Sequence, residues 1–214
     1  MRPSAVVFDF NGTLSDDEPI LCEIFQELFA ANGRPLSAQE YYDELAGLSD
    51  PEVIRTWLGP EHPAVDAVLE ERIRRYQAVV SDGSSVPQER RHAVHYAAER
   101  APVALVSGAA RAEIEPVLEA TGLAAAFSAV VTADDVERGK PDPEGYLRAL
   151  ELLDCGVRAG DVIAFEDTEA GVAAAKGAGM RVVALAGTVD PSRLRAAEEI
   201  VERIDVVLLE RLFE

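Results

Sequence analysis

Asp9 ends a short apolar run, Ala5-Val6-Val7-Phe8, and is followed by Phe10-Asn11-Gly12-Thr13-Leu14. A buried strand that runs into a carboxylate and a glycine turn presents that carboxylate at the strand's C-terminal end, where open α/β sheets bind ligands. Three other pieces stand in similar places: Ser107-Gly108 after Val103 to Val106, Lys140-Pro141-Asp142-Pro143 before a helical pattern, and Glu166-Asp167 after Val162 to Phe165. Each alone has an ordinary explanation as a helix cap, a turn or a solvated lysine. Together they combine a hydroxyl donor and a point charge for an anion with carboxylates for nucleophilic attack and for a hard cation. Lys140 is one of only two lysines in the chain, with Lys176, so its place beside this set stands out more than it would in a lysine-rich protein.

The elements that must position these residues follow from periodicity. Runs at 103–106, 129–131, 162–165 and 182–185 read as parallel strands. Helices over about 110–121, 143–153 and 169–178 alternate with them, and 206–208 reads as a last strand. That rhythm predicts a doubly wound, Rossmann-like α/β sheet, mostly parallel. Residues 16–82 break it. Leu21, Ile24, Phe25, Leu28 and Phe29 recur at helical spacing, further helices are predicted at 37–46, 50–58 and 63–80, and no strand pattern occurs. The expected organisation is a core of 1–15 and 83–214 with a helical cap domain of 16–82 inserted after the first strand, hinged near 15–18 and 81–87.

The 214 residues carry 39 acidic and 20 basic side chains, a formal charge of -19, which argues against nucleic acid or an anionic membrane as partner. Cys22 and Cys155 lack metal-ligand spacing and read as free thiols, and the apolar start is too short for a signal peptide core, so a cytoplasmic protein is expected. His62, His92 and His95 show no metal-like grouping. Arg111, after Ser107-Gly108, is placed either to reach a phosphate or to serve as a solvated first-turn arginine, and Lys176 is read as a cation placed by a helix dipole.

The four pieces, in this order and strand context, resemble the haloacid dehalogenase superfamily, in the branch with a helical cap between the first and second motifs, which includes phosphoglycolate phosphatase and β-phosphoglucomutase. The resemblance covers the whole chain. It implies a Mg²⁺-dependent phosphatase of a small phosphorylated metabolite, working through an aspartyl-phosphate on Asp9. Ser107 and Lys140 would neutralise the phosphoryl oxygens, joined by the amides of Asn11, Gly12 and Gly108. Asp9, the main-chain carbonyl of Asn11 and Asp167 would hold the metal, with Glu166 assisting. A second function class stays open: a phosphate-ligand-binding protein with little turnover.

The family's first motif reads Asp-x-Asp-Gly-Thr, and here the third position is Asn11. Asn can hydrogen-bond but cannot exchange a proton near neutral pH, and loss of a general acid/base typically removes on the order of 10² to 10⁴ in rate. Asn11 is consistent with a substrate whose leaving group needs little protonation, with a slow binding protein, or with a substitution introduced to slow the enzyme. Deamidation at Asn11-Gly12 would restore Asp, which intact mass would reveal, and Asp16 or Asp17 could stand in as proton carrier. Residues 16–82 hold no lysine for a Schiff base, which excludes the phosphonate-cleaving branch, and the acidic Glu166-Asp167 pair sets the chain apart from the metal-free dehalogenases. Cap contacts to substrate are expected around Gly47 to Asp50, Arg55 and Trp57, although Ser49 or Asp50 would also serve as a helix N-cap and Trp57 as core.

Overall fold

The computed structural model describes residues 2–153 and 156–214; Cys155, expected to be a free thiol, lies outside the described residues. Among these residues six strands form one parallel sheet in the order β3-β2-β1-β4-β5-β6. They are β1 (Ala5–Phe8), β2 (Val103–Val106), β3 (Ala129–Val131), β4 (Val162–Glu166), β5 (Arg181–Leu185) and β6 (Glu199–Val201). The chain builds outward from β1 in one direction through β2 and β3, then returns to β1's other side with β4 to β6. The ends of β1, β2 and β4 therefore meet where the winding reverses, which is where an open sheet leaves a crevice.

The strand pleat sorts residues by size. Ala5, Val7, Ala104, Ala164 and Ala184 face helices α7 (Glu144–Leu153) and α8 (Glu169–Gly177), where small side chains let the helices approach closely. The opposite face carries Phe8, Leu105, Phe165 and Leu185, with Phe8 and Phe165 stacked at 4.9 Å between ring centroids on neighbouring strands. That face packs against α5 (Gln88–Ala98), α6 (Arg111–Thr121) and α9 (Val206–Phe213). The strand expected at 206–208 is the first turn of α9. Asp205 accepts a hydrogen bond from the Leu208 amide at 2.9 Å and caps that helix, while the sheet edge is completed earlier by β6.

Between β1 and α5 the chain is helical: α1 (Glu18–Ala31), α2 (Ala38–Glu40) continuing as a π-helical turn over Tyr41–Leu45, α3 (Asp50–Leu58) and α4 (Val65–Val80). Ser49 caps α3 in a capping box with Glu52. Trp57 is core: it stacks on Phe29 at 6.3 Å, and its indole N–H donates to the Arg34 carbonyl at 2.9 Å. Phe25, Phe29, Ile54 and Tyr76 belong to the same apolar cluster as the α5/α6 face of the sheet, so the helical segment is seated on the core through continuous packing. No helix among the described residues is long and apolar enough to cross a membrane.

Candidate active site

Asp9, at the end of β1, is 5% exposed and receives the ammonium of Lys140 on Oδ1 at 2.5 Å. Oδ2 makes no hydrogen bond among the described residues. Lys140 comes from the loop before α7 and also reaches Glu166 Oε1 at 2.5 Å. Burial alone would push the Lys140 pKa down, but the charges of Asp9 and Glu166 and their hydrogen bonds outweigh it and hold it above its ordinary value.

Glu166 is fully buried and accepts a hydrogen bond from the Tyr146 hydroxyl of α7. Burial raises its pKa to about 7, Lys140 opposes the rise and Asp9 adds to it. Asp167, 1% exposed, accepts from Thr13 Oγ1 on Oδ1 at 3.2 Å and from the Thr188 hydroxyl on Oδ2. Burial first, then Asp9 and Glu166, drives its pKa well above the carboxylate range. Carboxylate oxygens of Asp9, Glu166 and Asp167 lie within 4.8 Å of one another. Ionised together, three buried carboxylates faced by one ammonium among the described residues would carry an excess of negative charge in oxygen donors, which is the donor chemistry a hard divalent cation requires; the raised pKa values of Glu166 and Asp167 register that crowding.

Two glycines make this packing possible. A side chain at Gly12, where φ is +74°, would collide with the Asp167 carboxylate, and one at Gly171 would collide with Glu166. The amide of Gly12 is turned away from the floor and donates to Asp17 Oδ1 at 3.1 Å. Asn11 is gripped on both sides. Ser107 Oγ donates to its Oδ1 at 3.3 Å, and its Nδ2 donates to Asp17 Oδ2 at 3.0 Å and to the Tyr76 hydroxyl at 3.1 Å. Tyr76 in turn donates to Asp17, whose pKa is raised by burial against the opposing pull of these hydrogen bonds.

A cavity of about 500 Å³ opens above this floor. Asp9, Asn11, Ser107, Gly108, Lys140 and Asp167 line it, whereas Gly12 and Glu166 sit behind the lining. Asp17 is buried behind Asn11 and Asp16 is exposed, and neither lines the cavity, so neither is placed to carry a proton to a ligand there. Arg111 is engaged elsewhere, by Asp135 at 2.6 Å and the Val130 carbonyl at 3.2 Å. His92 and His95 lie on the surface of α5, and His62 accepts the Ala64 amide at 3.3 Å. Lys176 pairs with Glu198 at the end of α8.

The helical segment supplies the cavity's other wall, from Glu18, Tyr41, Asp50 and Arg72. Of these only Asp50 stood out in the sequence, through its turn. Arg72, 1% exposed, is bound by Asp50 at 3.0 Å and by Glu113 of α6. Tyr41 donates to Glu18 Oε2 at 3.1 Å. Burial, with the Asp17 and Asp9 charges nearby, pushes the Glu18 pKa up to about 8, although the Tyr41 hydrogen bond pulls the other way. The run Asp16-Asp17-Glu18 was the one available signal for Glu18; nothing marked Tyr41 or Arg72.

The fold and floor together define a doubly wound α/β enzyme with an acid-rich centre at its strand ends and a helical segment over it. Residues 6–185 match the model of the haloacid dehalogenase-like hydrolases, and the chain belongs to that family. It is 30% identical to validoxylamine A 7'-phosphate phosphatase of Streptomyces hygroscopicus subsp. limoneus, covering 94% of each chain. It is also 30% identical to the phosphorylated carbohydrates phosphatase of Thermotoga maritima, over 82% of each. Among solved structures, CbbY of Rhodobacter sphaeroides, known with phosphate and, as a mutant, with xylulose-(1,5)bisphosphate, superposes with a TM-score of 0.83 at 25% identity, over 94% of this chain and 95% of that one.

Proposed function

We propose that this hydrolase is a Mg²⁺-dependent phosphatase of small phosphorylated compounds, sugar phosphates foremost, acting through an aspartyl-phosphate on Asp9. The observation that carries the reading is Asp9 at the cavity floor, held through Oδ1 by Lys140 with Oδ2 unengaged beside Asp167. The named activities of the relatives support it.

In this reading Asp9 Oδ2 attacks phosphorus and the bond to the ester oxygen breaks, leaving the phosphoryl group on Asp9. Lys140 and Ser107 take up charge on the phosphoryl oxygens, and the Gly108 amide adds a donor. Asp9, Asp167 and the Asn11 carbonyl would hold Mg²⁺, with Glu166 behind them fixing Lys140; the cation when bound screens the repulsion between Asp9 and the incoming phosphoryl group. Water then attacks phosphorus, releasing inorganic phosphate and restoring Asp9. The leaving oxygen needs a proton that Asn11 cannot give, so solvent water supplies it, and the proton shed by the attacking water passes to the released phosphate or back to solvent. Residues 16–82 would act as the cap domain over a core of 1–15 and 83–214, excluding water from the phosphoryl group. Buried, unpaired Cys22 fits a reducing, cytoplasmic setting.

The test is Mg²⁺-dependent phosphate release from an aryl and an alkyl phosphate by this chain and by Asn11→Asp. The substituted form is expected to gain on the order of 10² to 10⁴ on the alkyl ester and little on the aryl ester, whose leaving group needs no acid. If neither form releases phosphate while phosphate esters still raise the melting temperature, the ligand-binding reading replaces this one.

A further inference from the structure

The charges lining the cavity above its floor restrict what else the substrate can carry; this inference rests on the phosphatase reading. Among the described residues three arginines line the cavity, and two of them are already paired with carboxylates. Arg72 is shared between Asp50 and Glu113, and Arg138 is held by Asp142 at 3.4 Å and Glu144 at 3.1 Å. Arg55, exposed on α3, is the one lining arginine without an ion pair among the described residues.

The deep wall is therefore neutral to acidic. Glu18, 9% exposed, has Oε2 engaged by Tyr41 and makes no hydrogen bond through Oε1 among the described residues. An anionic group on the substrate other than the reacting phosphate, placed against Glu18, Tyr41, Asp50 and Arg72, would leave water and find no unpaired cation there among the described residues, a costly transfer. Hydroxyl groups meet the opposite situation. Glu18 lines the cavity and offers Oε1 as an acceptor. An ammonium would meet the carboxyl groups of Glu18 and Asp50, and its charge would favour their ionised forms.

We infer that the cavity takes phosphate esters whose leaving group is polyhydroxylated and either uncharged or cationic, and turns away esters bearing a second phosphate or a carboxylate. The experiment compares glucose 6-phosphate and glucosamine 6-phosphate with fructose 1,6-bisphosphate and 6-phosphogluconate. Binding is read by thermal stabilisation in Mg²⁺ and turnover by phosphate release, with p-nitrophenyl phosphate as a control. The first two esters are expected to bind and react at least tenfold better than the last two, and Arg55→Ala to leave that order unchanged. Equal or better binding of either doubly anionic ester overturns the inference. So does a preference for such an ester that Arg55→Ala abolishes, since Arg55 would then hold the second anion. The control keeps the two readings apart: a silent control with the binding order intact defeats the phosphatase reading and supports this one.

Discussion

At the cavity floor Lys140 faces two carboxylates, Asp9 and Glu166, each at 2.5 Å; in the wall Arg72 also faces two, Asp50 at 3.0 Å and Glu113. The two clusters are built from the same parts and differ in what remains unsatisfied. The floor has a third carboxylate, Asp167, and an unengaged oxygen on Asp9, so its charge is in surplus beside open space. In the wall the carboxylates on Arg72 come from α3 and α6 while Arg72 belongs to α4, so one guanidinium ties the helical segment to the core. A cation among carboxylates in a cavity is thus not in itself a candidate reactive centre; the spare oxygens distinguish the floor from the wall.

If that distinction is right, Lys140→Met strikes activity hardest. It removes the one ammonium that reaches Asp9 among the described residues, and loss of a preorganised charge of this kind typically costs on the order of 10² to 10³ in kcat. Steady-state phosphate release at saturating Mg²⁺ measures it; a loss below tenfold would mean that Lys140 is only a counter-ion for Glu166.

Arg72→Met should act on stability instead. It leaves Glu113 buried and Asp50 half-buried without their cation, and breaking a buried pair from one side costs about 3 to 5 kcal/mol. For a chain of this length that lowers Tm by roughly 10 °C. Adding Asp50→Asn and Glu113→Gln should recover most of the loss, because no unpaired charge then remains. Thermal unfolding of the single and triple variants checks both halves, and an unrecovered triple variant would mean that Arg72 stabilises through its contacts with Phe25 and Tyr76 rather than its charge.

The two clusters were also unequally legible in the sequence. Asp9, Ser107 and Asp167 follow their strands directly, and Lys140 stands in the loop before a helix, so local pattern and the order of the pieces located them. The same reasoning delimited α3 at 50–58 and failed at 206–208, where three apolar residues are too few to tell a strand from a helix and the Asp205 cap was the deciding signal. Arg72 lies in the run Arg72-Ile73-Arg74-Arg75. Arg74 and Arg75 pair with Glu71 on the surface, and only the packing of α4 against α6, 41 residues along the chain, buries Arg72 against Glu113. Asn11 was legible as a departure from the motif, and Asp17 lies only six residues further on, but the Tyr76 contact depends on α4 reaching back to the first loop.

Glu18 gives the finest test, because it stands between the clusters and takes charge from both. Burial, Asp17 and Asp9 raise its pKa from 4.5 to about 8, while Tyr41 and Arg72 oppose the rise. The sign follows from proton counting. Between about pH 4.5 and 8 the unfolded chain has released this proton and the folded chain keeps it, so folding stability is full below that window and falls as pH rises through it. Glu18→Gln removes the titration while keeping an acceptor for Tyr41. Without Mg²⁺ the variant should match the parent near pH 4 and exceed it by about 3 kcal/mol at neutral pH. Saturating Mg²⁺ should narrow that gap, since a cation at the floor cancels the part of the rise that comes from Asp9, whereas a gap indifferent to Mg²⁺ would assign the whole shift to burial and Asp17 and sever Glu18 from the floor.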